Sequence, residues 1–221
     1  MKLSISQPEL YNTVQSFLRK LDKRLLHKIV DTKAGKIDSL IVLSNGREDV
    51  RVVALLCHHL NGNKTANIVK PTVTRYEAIS ELKEQYIRKY RQIVFIIDQE
   101  GDDLATLREN VRKGLAIIGV SVKSVEDPFE RVLCYDCSLG DHEFRFMVVV
   151  SGLDNVKSPT HSIEDHLVML AGVVGGEDSK ELWIGLGRDE RLEVFRRVYE
   201  SKDDAEKFFR QHFDGLGLLE C

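Results

Sequence analysis

The chain has 221 residues, with 32 Lys and Arg against 35 Asp and Glu, a formal net charge of −3. Hydrophobic residues make up 43% and Gly and Pro number only 15 and 4, which excludes disordered, collagen-like and low-complexity chains, and the charge balance excludes a histone-like polycation. Four cysteines are too few for a disulfide scaffold, no apolar run reaches the roughly 20 residues of a bilayer span, and the opening MKLSISQPELYNTVQSFLRK has no signal-peptide core; a cytoplasmic protein is expected, with no membrane partner.

In residues 7–26, Leu10, Val14, Phe17, Leu18, Leu21 and Leu25 recur at helical spacing, with Pro8 acceptable in the first turn. Residues 1–36 hold eight Lys or Arg and three Asp or Glu, the most basic stretch of the chain; it reads as a solvated helix face or as a phosphate-facing patch. A β-rich run over 37–43 stops at Ser44-Asn45-Gly46. A helix is expected over 49–60, closed by Asn61-Gly62-Asn63, then a short strand at 67–70 and a helix from 74 or 75 to 90. Five apolar residues in succession, Ile93-Val94-Phe95-Ile96-Ile97, indicate a strand buried on both faces, with Asp98 at its carboxyl end.

Asp102 or Asp103 is placed to cap a helix carrying Leu104, Leu107, Val111, Leu115 and Ile118 on one face, and residues 120–125 alternate as a strand. Strands alternating with helices predict an α/β fold with a mostly parallel central sheet flanked by helices. Beyond Pro128, two strands at 131–138 and 143–150 meet in a hairpin at 139–141. Helices follow at 163–171, 189–200 and 203–213. The expected organisation is an N-terminal basic helix and lead-in (1–36), an α/β core (37–172) and a helical C-terminal tail packed on that core (173–221).

Ligands of open parallel sheets gather beyond the carboxyl ends of the strands. Two polar clusters fall at such ends, Ser44 to Asp49 and Asp98 to Asp103. If the two strands are neighbours their carboxylates meet at one rim, where a cation offsets the repulsion and oxygen ligands favour Mg²⁺ or Mn²⁺. For Glu48, Asp102 and Asp103, helix capping is the simpler role.

The order of elements and three short motifs resemble the Toprim domain, and more closely the overcoming-lysogenization-defect nucleases and their small stand-alone relatives. The motifs are Asn45-Gly46-Arg47-Glu48-Asp49, Asp98-Gln99-Glu100 and Ser162-Ile163-Glu164-Asp165-His166-Leu167, within residues 38–172. The resemblance implies a Toprim- or Rossmann-like core and metal-dependent hydrolysis of phosphodiester bonds in nucleic acid. By the same resemblance Asp98, Glu100 and Asp49 hold the metal and serve catalysis, and Glu164 holds a second ion. Asn45 stands where the family has Glu, and Glu100 where it has Asp; an amide binds a cation weakly and moves no proton. Asn45, Arg47, His161 and His166 are the expected phosphate or substrate contacts. Two other functions fit the same fold. One is a non-catalytic binding or assembly module, self-associating or holding a protein partner through Trp183, Phe208 and Phe209; the other is a sensor of a small nucleotide.

Cys134 and Cys137 have C-x-x-C spacing, but in a strand positions i and i+3 face opposite ways, which argues against a redox or zinc pair. Adjacent His58 and His59 point about 100° apart on a helix and are poor joint ligands. Gly172 to Gly176 lacks the spacing of a dinucleotide loop and reads as a helix exit; no phosphate loop or nucleophile elbow is present.

Overall fold

The apolar run after Arg91 forms strand β4 (Gln92–Asp98), and its residues alternate between two cores: Val94 and Ile96 enter one, Ile93, Phe95 and Ile97 the other. The structure is a computed structural model that describes residues 1–32, 37, 39–60, 64–173 and 178–220. Among these, β4 joins β1 (Lys2–Ile5), β2 (Ser39–Leu43), β3 (Thr65–Val69), β5 (Ser121–Phe129), β6 (Val132–Leu139) and β7 (His142–Ser151) in one sheet of order β1-β3-β2-β4-β7-β6-β5. The first five strands in that order are parallel; β6 and β5 add an antiparallel edge.

One face of the sheet is covered by α1 (Pro8–Leu21), α2 (Leu25–Ile29) and α3 (Arg47–His59), and beside them by α7 (Ile163–Ala171), α8 (Ser179–Gly185), α9 (Arg188–Glu200), α10 (Lys202–Phe208) and α11 (Arg210–Gly217). The other face is covered by α4 (Glu77–Ser80), α5 (Glu84–Ile87) and α6 (Leu104–Ile117). From β2 the chain passes through α3 to β3 on one side of β2, then returns through α4 and α5 to β4 on the other. The carboxyl ends of β2 and β4 therefore flank a topological switch point, where open α/β sheets place their ligands.

Several expected elements take a different form. The segment expected as a helix over 7–26 ends at Leu21, because Asp22 is extended and its side chain binds the Arg24 backbone N–H at 2.8 Å. The stretch 74–90 forms two single turns, α4 and α5, whose Ile79 and Ile87 reach the core without a continuous helix between them. Strand β5 continues through Pro128, which an edge strand tolerates, and pairs antiparallel with β6 rather than extending the parallel sheet. The tail helix expected over 203–213 breaks at Phe209 into α10 and α11. Strand β1 and helix α8 have no counterpart in the sequence-based reading.

The β6–β7 hairpin turns at Gly140-Asp141, with Gly140 left-handed at φ 61, and Gly172 ends α7 at φ 72. The expected cap at 61–63, the glycine run at 174–176 and Cys221 lie outside the described residues. Trp183, Phe208 and Phe209 do not form an outward surface. Trp183 is 2% exposed and sits edge-on to Phe195, Phe209 is buried against the His166 ring, and Phe208 is half-buried on the same core. Cys134 and Cys137 lie on opposite faces of β6, as the alternation predicts. Both are buried, as is Cys57 on α3, and burial pushes their thiols up to about 11, 12 and 12 respectively. Among the described residues no helix is long and apolar enough to cross a membrane.

Candidate functional site

Strands β2 and β4 are direct neighbours, with Leu43 opposite Ile96. The loop leaving β2 is tied to β4: Ser44 donates its backbone N–H and its hydroxyl to the Ile96 carbonyl, at 3.1 and 2.8 Å. This fixes the direction in which the chain enters α3. Gly46 is the N-cap, so Glu48 and Asp49 fall in the first turn, where the helix dipole favours a negative charge. Asp98 ends β4, and its Oδ1 accepts the Ile163 N–H at 3.1 Å, at the first turn of α7. Glu164 follows one residue later and accepts the Ser162 hydroxyl at 2.8 Å. Two helix N-termini and one strand end thus bring Asp49, Asp98 and Glu164 to one rim.

The surroundings of these carboxylates are dry. Asp49 is 1% exposed and Asp98 4%. Burial, then the charges of Glu164 and Glu48, push the Asp49 carboxyl up to about 7, with Lys70 pulling the other way. Asp98 is raised well above the usual carboxylate range by burial first and then by Asp49 and Glu164, against the opposing charge of Lys180. Glu164 is raised mainly by burial. Both oxygens of Asp49 and the side-chain nitrogen of Asn45 are buried with no hydrogen-bond partner.

The other expected site residues are placed differently. Glu100 adopts a left-handed backbone at φ 53, and its carboxylate pairs with Arg75 Nε at 3.3 Å and Lys180 Nζ at 3.7 Å, so its charge is already matched. Arg47 is exposed at the start of α3. His161 exchanges backbone hydrogen bonds with Glu100, and its Nδ1 lies 2.8 Å from Asp165. His166, expected as a phosphate or substrate contact, lies in the interior. It is fully buried, Nδ1 donates to the Phe208 carbonyl, and Nε2 accepts the Gly152 N–H at 3.2 Å with Gln211 Nε2 at 2.8 Å. Of the acids read as caps, Asp103 caps α6 through Thr106, whereas Asp102 binds Arg75 and the Tyr76 hydroxyl, and Glu48 binds Arg51.

Lys70, just past β3, and Lys180, on α8, were not singled out from the sequence. Each is a lysine near the rim only because of the fold, and no local motif marks either.

Among the described residues no three His, Cys, Asp or Glu side chains form a ready-made metal shell. The donor chemistry nevertheless fits a hard cation. All three acids offer oxygen, Asp49 has two buried oxygens without partners, and among the described residues no cationic side chain is hydrogen-bonded to them. Comparison with protein-family models, curated proteins and solved structures gives no match for this chain.

Proposed function

We propose that this protein is a divalent-cation-dependent hydrolase of phosphodiester bonds in nucleic acid, acting at the rim of Asp49, Asp98 and Glu164. The observation that carries the reading is the unpartnered, buried Asp49 carboxylate facing the charges of Asp98 and Glu164 at the switch point between β2 and β4. The order of the three motifs, which resembles that of Toprim nucleases, supports it. Asp49 and Asp98 are the ligands for Mg²⁺ or Mn²⁺, with Glu164 alongside. A cation bound there supplies an activated water and stabilises charge on the phosphate. The chain's own groups do the rest. The Ile163 N–H holds the Asp98 carboxylate in place, the Asn45 amide offers an unused donor to a phosphate oxygen, and Lys70 and Lys180 bias the rim towards a phosphate.

The direct test is nicking of plasmid DNA and cleavage of RNA with Mg²⁺ or Mn²⁺. Wild type should cleave, Asp98→Ala should lose at least about two orders of magnitude, and EDTA should stop both. Folded wild-type protein that cleaves neither substrate with either metal would falsify the enzyme.

A second reading, a non-catalytic module of the same fold, is favoured by Asn45, which cannot move a proton. Asn45→Glu separates the two. It should raise cleavage if the wild-type site is an attenuated enzyme and leave an inert protein inert if the site only binds.

A further inference from the structure

Beside the acidic rim, a cleft of about 230 Å³ opens between α1, the start of α3 and the start of α9. Five cations line it, Lys20, Arg47, Arg51, Arg188 and Arg191, against one acid, Glu48. Glu48 is used by Arg51, at 2.9 Å. The side chains of Lys20, Arg47, Arg188 and Arg191 have no ion-pair or hydrogen-bond partner among the described residues. In a chain of net charge −3 this is a strong local excess, and like charges gathered around a concavity raise the local concentration of anions.

We infer that this cleft binds a backbone phosphate of a single nucleic-acid strand and guides that strand to the rim; the assignment rests on the hydrolase reading above. Arg51 is built for such a contact. Its guanidinium lies 5.4 Å from the Phe17 ring and 5.7 Å from the Phe195 ring, and those rings meet edge to face at 5.0 Å. Glu48 occupies only Nη1, and the Arg51 side chain is 24% exposed towards the cleft mouth. A partly exposed guanidinium held against two aromatic rings and paired on one side only is organised in advance for a phosphate oxygen.

The size of the cleft limits the ligand. It falls below the roughly 300–1,000 Å³ typical of pockets that enclose a drug-sized molecule, so a phosphate and its sugar fit better than a whole nucleotide. The path continues past Arg47, which also lines a neighbouring cleft of about 760 Å³ together with Lys70. Lys70 is the cation whose charge acts on Asp49. A strand gripped at Arg188 and Arg191 therefore passes Arg47 and arrives beside the acids.

The test is fluorescence anisotropy with a labelled single-stranded DNA of about 20 nucleotides, in EDTA, over about 50–200 mM KCl. Three double variants are compared with wild type. Arg188→Ala/Arg191→Ala removes two of the five cleft cations, and Arg112→Ala/Lys113→Ala removes the same charge from α6 on the far face of the sheet. Asp49→Asn/Asp98→Asn neutralises the rim. Arg188, Arg112 and Lys113 are exposed and Arg191 is half-buried, so circular dichroism should show unchanged folds.

The cleft variant should bind at least about tenfold more weakly, and its salt dependence should lose about 1.4 in log–log slope, about 0.7 for each lost phosphate contact. The α6 and rim variants should bind within about twofold of wild type. The inference is overturned if wild type does not bind, if the cleft variant keeps wild-type affinity and slope, or if the α6 variant weakens equally. Competition by poly-glutamate as strong as by unlabelled DNA, or by AMP stronger than by DNA, also overturns it. Binding that survives without any cleavage removes the hydrolase and leaves the cleft; unchanged cleavage and KM in the cleft variant remove the cleft and leave the hydrolase.

Discussion

Asp98 caps α7: its Oδ1 receives the Ile163 N–H at 3.1 Å, so the last residue of β4 also fixes the first turn of the helix that carries Glu164. Asparagine keeps that acceptor and removes the charge. Asp98 has a raised folded pKa, so its cost to stability is absent below about pH 4 and grows as pH rises towards the folded value. Asp98→Asn should therefore melt higher than wild type at pH 8 in EDTA, melt at nearly the same temperature at pH 4, and lose cleavage. A lower melting temperature at pH 8 would show that the charge is compensated in the fold.

The pH profile of stability should combine two opposing contributions. Asp49, raised from 3.8 to about 7, keeps a proton in the native state that the unfolded chain has lost, so stability falls as pH rises from about 4 to 7. His166 is lowered to about 4 and His212 also lies well below its usual value, both by burial. The unfolded chain then takes up protons that the native state refuses, so this contribution is lost as pH falls below about 6.5. Both windows span about pH 4–6.5, so the two contributions oppose each other there and variants separate them in urea titrations in EDTA. Asp49→Asn should remove about 2–4 kcal/mol of the loss between pH 4 and 7 and spare the histidine contribution. Mg²⁺ should offset the loss at about pH 8 in wild type but not in the variant.

Lys180 carries a charge that bears on Asp98 and Glu164 and lies 3.7 Å from the Glu100 carboxylate. Replacing it with Met removes a competitor for an added cation. At about 1 kcal/mol for a solvated pair, Mn²⁺ should bind roughly fivefold more tightly to Lys180→Met by calorimetry. Unchanged or weaker binding would place the cation away from this rim.

What the sequence showed of this molecule depended on how local each signal was. Strand β4 was legible because both its faces are buried, so every position is apolar. Asp98 and Asp49 were legible because their places follow from a strand end and a helix start. The break between α4 and α5 was not, since Tyr76, Ile79, Leu82 and Ile87 have helical spacing although two separate turns deliver them to the core. The partners of Glu100 were not legible, because they depend on a left-handed backbone at a residue other than glycine and on Arg75, 25 positions earlier in the chain. Lys70 and Lys180 reach the rim through sheet order and tail packing, which no short window of sequence contains.

Packing of the tail on the sheet is tight at Gly215. A methyl group added at Gly215 of α11 would fall on the Val149 side chain of β7. Overpacking costs about 1–3 kcal/mol, and the better helix propensity of alanine returns up to about 1 kcal/mol. Gly215→Ala should destabilise by about 1–2 kcal/mol in urea. Gly217→Ala, where the methyl meets no atom within 4 Å, should be neutral or slightly stabilising.

The three buried thiols make the protein its own probe of unfolding. Alkylation needs both access and a thiolate, and Cys57, Cys134 and Cys137 are denied both in the native state. Cys57 and Cys134 report on the layer that carries α3 and the tail, and Cys137 on the layer beneath α6. Pulsed iodoacetamide labelling read by mass spectrometry therefore reveals whether the two layers come apart in one event or one after the other.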